Sequence, residues 1–313
     1  MTGPAERTAA DPRLLAAMQG LELSARRLVA GVVPGVHASR QPGPSREFSQ
    51  YRAYQSGDDP RHIDWKLFAR SDRYFLREGE IPTRLRLHLV LDATASMQHA
   101  GTIPGAPSKF DLARRLAAAL ALLAGGQGDA VELHVVAAGR VTSLLPGRSG
   151  PPFARIVRAL ASAEASGTWL ASPAPLTAAL RRGGAGAGGA SGSTVDLTVV
   201  LTDGFERGGE IRAALAPLRS LRHEVIFCHL LTRDELAFPY RGPARFEDWE
   251  TGQVIEADAE LVRAAYLEGQ AREREAWSQA WGRDRFDYLP VVTDEPADRA
   301  LRTYLKRRRL AAS

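Results

Sequence analysis

The chain has 313 residues, 44% hydrophobic and 25% charged, enough to bury a substantial core in one large domain or two small ones. Its 41 Lys and Arg against 36 Asp and Glu leave a net charge of +5 spread along the whole length, which argues against a nucleic-acid partner. A single cysteine, Cys228 in the apolar run VIFCHLL, excludes an intrachain disulfide and reads as a small core residue in a reducing compartment.

The opening MTGPAERTAADPR lacks the apolar centre of a secretory signal. The longest apolar run, LAAALALLA, is under half of the about 20 residues a bilayer span needs. A soluble, cytoplasmic protein without a membrane span is therefore expected. The first element is a helix over PRLLAAMQGLELSARRLVAGV. It leads into REFSQYRAYQSGDDPRHIDWKLFARSDRYFLREGE, too dense in Arg, Asp and aromatics for a solvated linker. Residues 1–82 are thus expected to form an N-terminal extension packed on the core through aromatic contacts and ion pairs. Within it, Asp58, Asp59 and Asp64 have Arg61, Arg70 and Arg77 as counter-ions. The reading is a structural ion-pair network, with a second cation site as the alternative.

From residue 83 to 313, strand-like and helix-like segments alternate, which predicts an α/β fold: an open, mainly parallel six-stranded sheet with helices on both faces. The first strand is RLHLVLD, and Ser108 and Asp111 open a helix with capping-box-like spacing. AVELHVVAA and VTSLLP follow as a strand pair at one edge of the sheet. A helix over 151–163, a loop EASGTWLASP and a helix around PLTAALRR precede a Gly/Ala/Ser loop over 183–193. The strand VDLTVVLT runs into Asp203, a helix covers 209–222, and EVIFCHLL is the fifth strand. An insertion at about 236–284 is read as a hairpin turning at Thr251 and Gly252 plus a long amphipathic helix from about Ala259 to Trp281. FDYLPVV supplies the sixth strand and ADRALRTYLKRRR a closing helix, whose cations suit a solvated helix end.

Chemistry concentrates where strands end. In LHLVLDATASM, the side chains of Asp92, Thr94 and Ser96 alternate so that three oxygens share a face. Asp203 ends the fourth strand, and ligands in such sheets bind beyond the carboxyl ends of the strands. Thr168, in the SGTWL loop, adds an oxygen from a third loop. An all-oxygen set with two formal negative charges suits Mg2+ or Mn2+, with Ca2+ also admissible, and argues against zinc at this place. Five ligands leave room for water or for a partner's carboxylate. The histidines show no metal-ligand spacing along the chain, and His134, His223 and His229 read as ordinary strand residues.

The order Asp-x-Thr-x-Ser, Gly-Thr, Thr-Asp-Gly on alternating strands and helices resembles the von Willebrand factor A domain, a Rossmann-like fold with a metal-ion-dependent adhesion site. Thr94 stands where that motif usually has serine, and the ligand atom remains a hydroxyl oxygen. The runs RAYQSGDDPRHIDWKLFARSDRYFLREGE, DELAFPYRGPARFEDWETGQ and FDYLPVVTDEPADRALRTYL resemble a prokaryotic von Willebrand A-like family, domain of unknown function 58 (DUF58). That resemblance implies a MoxR-type AAA+ ATPase as partner, together with an unidentified client. It makes the chain a non-enzymatic, metal-dependent protein-interaction module serving as adaptor or assembly factor. The alternative is a metal-dependent, phosphoesterase-like hydrolase using the same carboxylates. A dehalogenase-type nucleophile site would want a second Asp at position 94, where Thr94 stands.

Overall fold

The structure, a computed structural model, describes residues 12–32, 40–54, 63–82, 84–146, 152–185, 194–206, 208–220, 223–299 and 302. At the amino end are a helix α1 (Pro12–Val32) and an antiparallel ribbon of β1 (Arg40–Ala53) and β2 (Phe75–Pro82), with α2 (Trp65–Ser71) between the ribbon strands. Asp64, one of the carboxylates considered for a cation, is the N-cap of α2: its Oδ1 accepts the amides of Lys66 and Leu67 at 2.9 and 3.0 Å. Asp58, Asp59 and Arg61 lie outside the described residues. Phe68 stacks on Tyr74 at 4.5 Å with Trp65 edge-on to both, and Trp65 remains 59% exposed.

The remaining elements in chain order are β3 (Arg84–Asp92), α3 (Lys109–Gly126), β4 (Ala130–Ala137), β5 (Arg140–Leu144), α4 (Pro152–Ser162), α5 (Ala174–Ala185) and β6 (Thr194–Thr202). They continue with α6 (Glu210–Leu215), β7 (His223–Leu231), α7 (Arg233–Ala237), β8 (Pro243–Glu247), β9 (Val254–Asp258), α8 (Ala259–Asp284) and β10 (Asp287–Val292). Six strands form one sheet in the order β10-β7-β6-β3-β4-β5, parallel throughout except for β5, which closes one edge antiparallel to β4. The expected α/β architecture is the observed one.

Period-two alternation divides the core. Leu87, Leu89 and Leu91 of β3 join Leu133, Val199 and Leu230 in the layer that holds α1, α3 and α4, where Leu21 and Ala25 of α1 are buried. Val90, Val200 and Phe227 point the other way, onto α5, α6 and α8; Trp277 and Trp281 of α8 stack on Phe227 at 5.1 and 4.8 Å. Cys228 is buried, as expected.

Some boundaries differ from the sequence reading. The helix expected over 209–222 stays α-helical only to Leu215 and tightens into a 3-10 turn over Ala216–Ser220, because Pro217 has no N–H to continue the ladder. α8 runs to Asp284, where Arg285 in the left-handed region ends it. Most of the expected closing helix and of the Gly/Ala/Ser loop lies outside the described residues. Among the described residues, no helix is long and apolar enough to cross a membrane.

Candidate metal centre

β3 and β6 run parallel in direct contact, with Leu91 opposite Leu201, so their ends bring Asp92 beside Thr202. The Thr202 hydroxyl donates to Asp92 Oδ2 at 2.6 Å, and the Thr94 amide donates to Asp92 Oδ1 at 2.9 Å. That second bond turns the chain into a 3-10 turn over Ala95–Gln98 and leaves Thr94 Oγ1 3.1 Å from Ser96 Oγ. Asp92 is fully buried. Burial, then the charge of Asp203, pushes its carboxyl up to about 7, against the pull of its hydrogen bonds.

Asp203 lies on the same cluster. Its Oδ1 accepts the Phe205 amide at 3.1 Å, the nearby Ser96 hydroxyl favours its charged form, and its carbonyl meets His229 Nε2 at 2.8 Å. The buried ammonium of Lys109 donates to Asp203 Oδ2 at 2.7 Å and to Glu235 Oε1 at 2.8 Å. Burial alone would raise the Asp203 carboxyl; the Lys109 charge overrides it and holds the group below the usual carboxylate range. Burial pushes the imidazole of His229 down to about 4, so it is neutral near pH 7.

The loop carrying Thr168 is fixed by its backbone. Ala95 donates to the Gly167 carbonyl, Ser166 to the Ala93 carbonyl, and Gly139 to the Thr168 carbonyl, at 2.8 to 2.9 Å. Gly167 has φ +67, and a Cβ there would lie 2.7 Å from Ala138 Cα, so the turn requires glycine. Thr168 is thereby set next to the Asp92–Ser96 segment, half-buried.

The residues present suit a hard divalent cation: the donors are all oxygen, and the carboxylates of Asp92, Asp203 and Glu250 lie close enough to act on one another. The cluster also receives a carboxylate from a distant part of the chain. Glu250, in the turn between β8 and β9, brings its own carboxylate there: Ser96 Oγ donates to Glu250 Oε1 at 3.2 Å, across 154 positions of sequence. A cleft of about 350 Å³ opens beside it, lined by Ser96, Lys109, Asp203, Phe205, Trp249 and Tyr266.

The family profile described as "Protein of unknown function DUF58" matches residues 50–276. The chain belongs to the DUF58 family. Uncharacterized protein Rv1480 of Mycobacterium tuberculosis and Uncharacterized protein Mb1516 of Mycobacterium bovis are each 32% identical to it over 250 residues, spanning 79% of this chain and 74% of theirs. Among solved structures, an aerotolerance-related membrane protein from Bacteroides fragilis is 22% identical, with a TM-score of 0.45 over 71% of this chain and 99% of that one. A von Willebrand factor type A structure from Catenulispora acidiphila is 13% identical, with a TM-score of 0.36 over 74% and 43%. Manganese-loaded TRAP protein of Plasmodium vivax is 14% identical, with a TM-score of 0.31 over 46% and 57%.

In this DUF58 chain hydrogen bonds join Asp92, Thr94 and Ser96, the charge of Asp203 acts on Asp92 from close by, and Thr168 is set beside them. Sequence reading missed Thr202, Lys109 and Glu250. The hydroxyl in LTDG was a visible signal for Thr202, since residue and strand end coincide. Nothing local marked Lys109, which looks like an ordinary first residue of a helix.

Proposed function

We propose that this chain is a non-enzymatic, metal-dependent protein-interaction module, an adaptor or assembly factor working with a MoxR-type AAA+ ATPase on a client yet to be identified. The observation that carries the reading is the convergence of Asp92, Thr94, Ser96 and Asp203 into one oxygen cluster at the carboxyl edge of the sheet. With Thr168 they are the proposed holders of Mg2+ or Mn2+. When bound, the ion supplies a positive charge that attracts an acidic side chain of the partner.

The chain's own residues prepare that contact. Thr202 and the Thr94 amide fix the orientation of Asp92, and Lys109 holds Asp203 ionised. Phe205 and Trp249, 44% and 49% exposed, offer apolar surface at the rim of the cleft. Glu250 is the internal competitor: a partner's carboxylate takes over the Ser96 contact that this hairpin makes. The ATPase is supported by the family resemblance alone.

The test is retention of a purified MoxR-type ATPase on the immobilised chain. We expect retention in Mn2+, release by chelator, and no retention by an Asp92→Ala/Asp203→Ala double variant that circular dichroism shows to be folded. Equal retention by that variant in chelator overturns the reading.

A further inference from the structure

The middle of the sheet carries a second cluster of ligating atoms. Register places His88 of β3 beside Glu132 of β4, and the period of two puts His134 on the same face. His88 Nδ1 lies 3.4 Å from His134 Nε2 and 3.3 Å from Glu132 Oε2, and the latter two atoms are 3.7 Å apart. All three residues are buried, at 0%, 0% and 3% exposure for His88, His134 and Glu132. Ligands at about 2.0–2.1 Å around a tetrahedral zinc ion stand about 3.3–3.4 Å from each other. Two sides of the observed triangle, 3.3 and 3.4 Å, match that spacing, and the third, 3.7 Å, is somewhat longer.

Two further observations point the same way. Each imidazole turns its other nitrogen to a polar partner, His88 Nε2 to Asp196 Oδ1 at 3.4 Å and His134 Nδ1 to Ser143 Oγ at 2.8 Å. Zinc-ligating histidines are oriented in this way. Glu132 Oε2 is buried and is approached by the two imidazole nitrogens, His88 Nδ1 at 3.3 Å and His134 Nε2 at 3.7 Å, while its other oxygen faces Arg86 at 3.9 Å. Among the described residues, His88, Glu132 and His134 form the one group of three His, Cys, Asp or Glu side chains whose ligating atoms all lie within 4.8 Å of one another.

We propose that His88, Glu132 and His134 form a zinc-type site that ties β3 to β4. Its two imidazoles and one carboxylate favour Zn2+ or Co2+ over the hard ions suited to the carboxyl edge. The proposal departs from the reading of His134 as an ordinary strand residue. It stands independently of the reading of Asp92 and Asp203.

The experiment uses Co2+ as the probe on full-length protein stripped with chelator. We expect stoichiometric binding with the intense visible absorption of tetrahedral Co2+, displaced by Zn2+ and retained in Asp92→Asn. Glu132→Gln should weaken it at least tenfold, and Asp196→Asn about 10- to 100-fold. Absorption unchanged in Glu132→Gln, or lost in Asp92→Asn, overturns the proposal. Should Glu132→Gln fail to fold, X-ray absorption of the zinc-loaded wild-type protein decides: two imidazole nitrogens support the site, and an all-oxygen shell contradicts it.

Discussion

The carboxyl edge of the sheet and its middle hold different chemistry by different means. At the carboxyl edge, hard oxygens gather from the end of β3 and from loops and turns, from Asp92, Ser96 and Asp203 to Glu250 on a distant hairpin. In the middle, two imidazoles and a carboxylate stand on the strands themselves. Their cations differ too: Lys109 is buried within the acidic cluster at 2.7 and 2.8 Å, whereas Arg86 meets Asp196 and Glu132 at 3.5 and 3.9 Å. Ligands on loops can exchange an internal acid for an external one, and ligands on paired strands are fixed by the ladder. The first arrangement suits capture and release; the second suits a permanent tie.

The largest expected effect is at Lys109. Lys109→Met leaves the buried Asp203 and the half-buried Glu235 without their counter-ion and should cost about 3–5 kcal/mol in chemical denaturation. Arg86→Met breaks longer contacts and should cost about 1–2 kcal/mol. Equal losses would erase the distinction between the two regions. Added Mn2+ should recover part of the Lys109→Met loss and none of the Arg86→Met loss.

A smaller effect tests whether the hairpin competes with a partner. Glu250→Gln should raise affinity for the ATPase about tenfold in Mn2+, because a binding-competent state occupied a small fraction of the time lowers apparent affinity by that fraction. A fall in affinity would make Glu250 a supporting ligand instead of a competitor.

The smallest effect belongs to the amino half. Burial pushes His223, which is 2.8 Å from Thr198 Oγ1, down from 6.5 to about 4. Its folded value is depressed, so the unfolded chain takes the proton first. The contribution is complete above pH 6.5 and is lost as pH falls from there toward 4. Discounted for partial exposure, this amounts to about 1 kcal/mol, and His223→Gln should flatten the dependence in chelator-treated protein.

What the sequence made legible was local. The 3.6-residue period of PRLLAAMQGLELSARRLVAGV fixes α1 at Pro12–Val32, Ser108 caps α3 through the Asp111 amide, and strand alternation locates Asp92 and Asp203 at strand ends. What was hidden is a property of pairing. Glu250 and Ser96 are 154 positions apart, and Lys109 and Asp203 are 94 apart, so no periodicity connects them. The His88 cluster was hidden for the same reason: Glu132 and His134 alternate visibly in VELHV, but only the register of β3 on β4 adds His88. Pro217 carried a readable signal, its missing N–H, yet the apolar pattern over 209–222 ran through it.

The most direct test of two chemically distinct cation sites is anomalous diffraction from one crystal form soaked with Mn2+ and Zn2+ together, recorded at both absorption edges. The account predicts manganese among Asp92, Ser96 and Asp203, and zinc among His88, Glu132 and His134. Both ions at one position, or neither ion at the carboxyl edge, would contradict it.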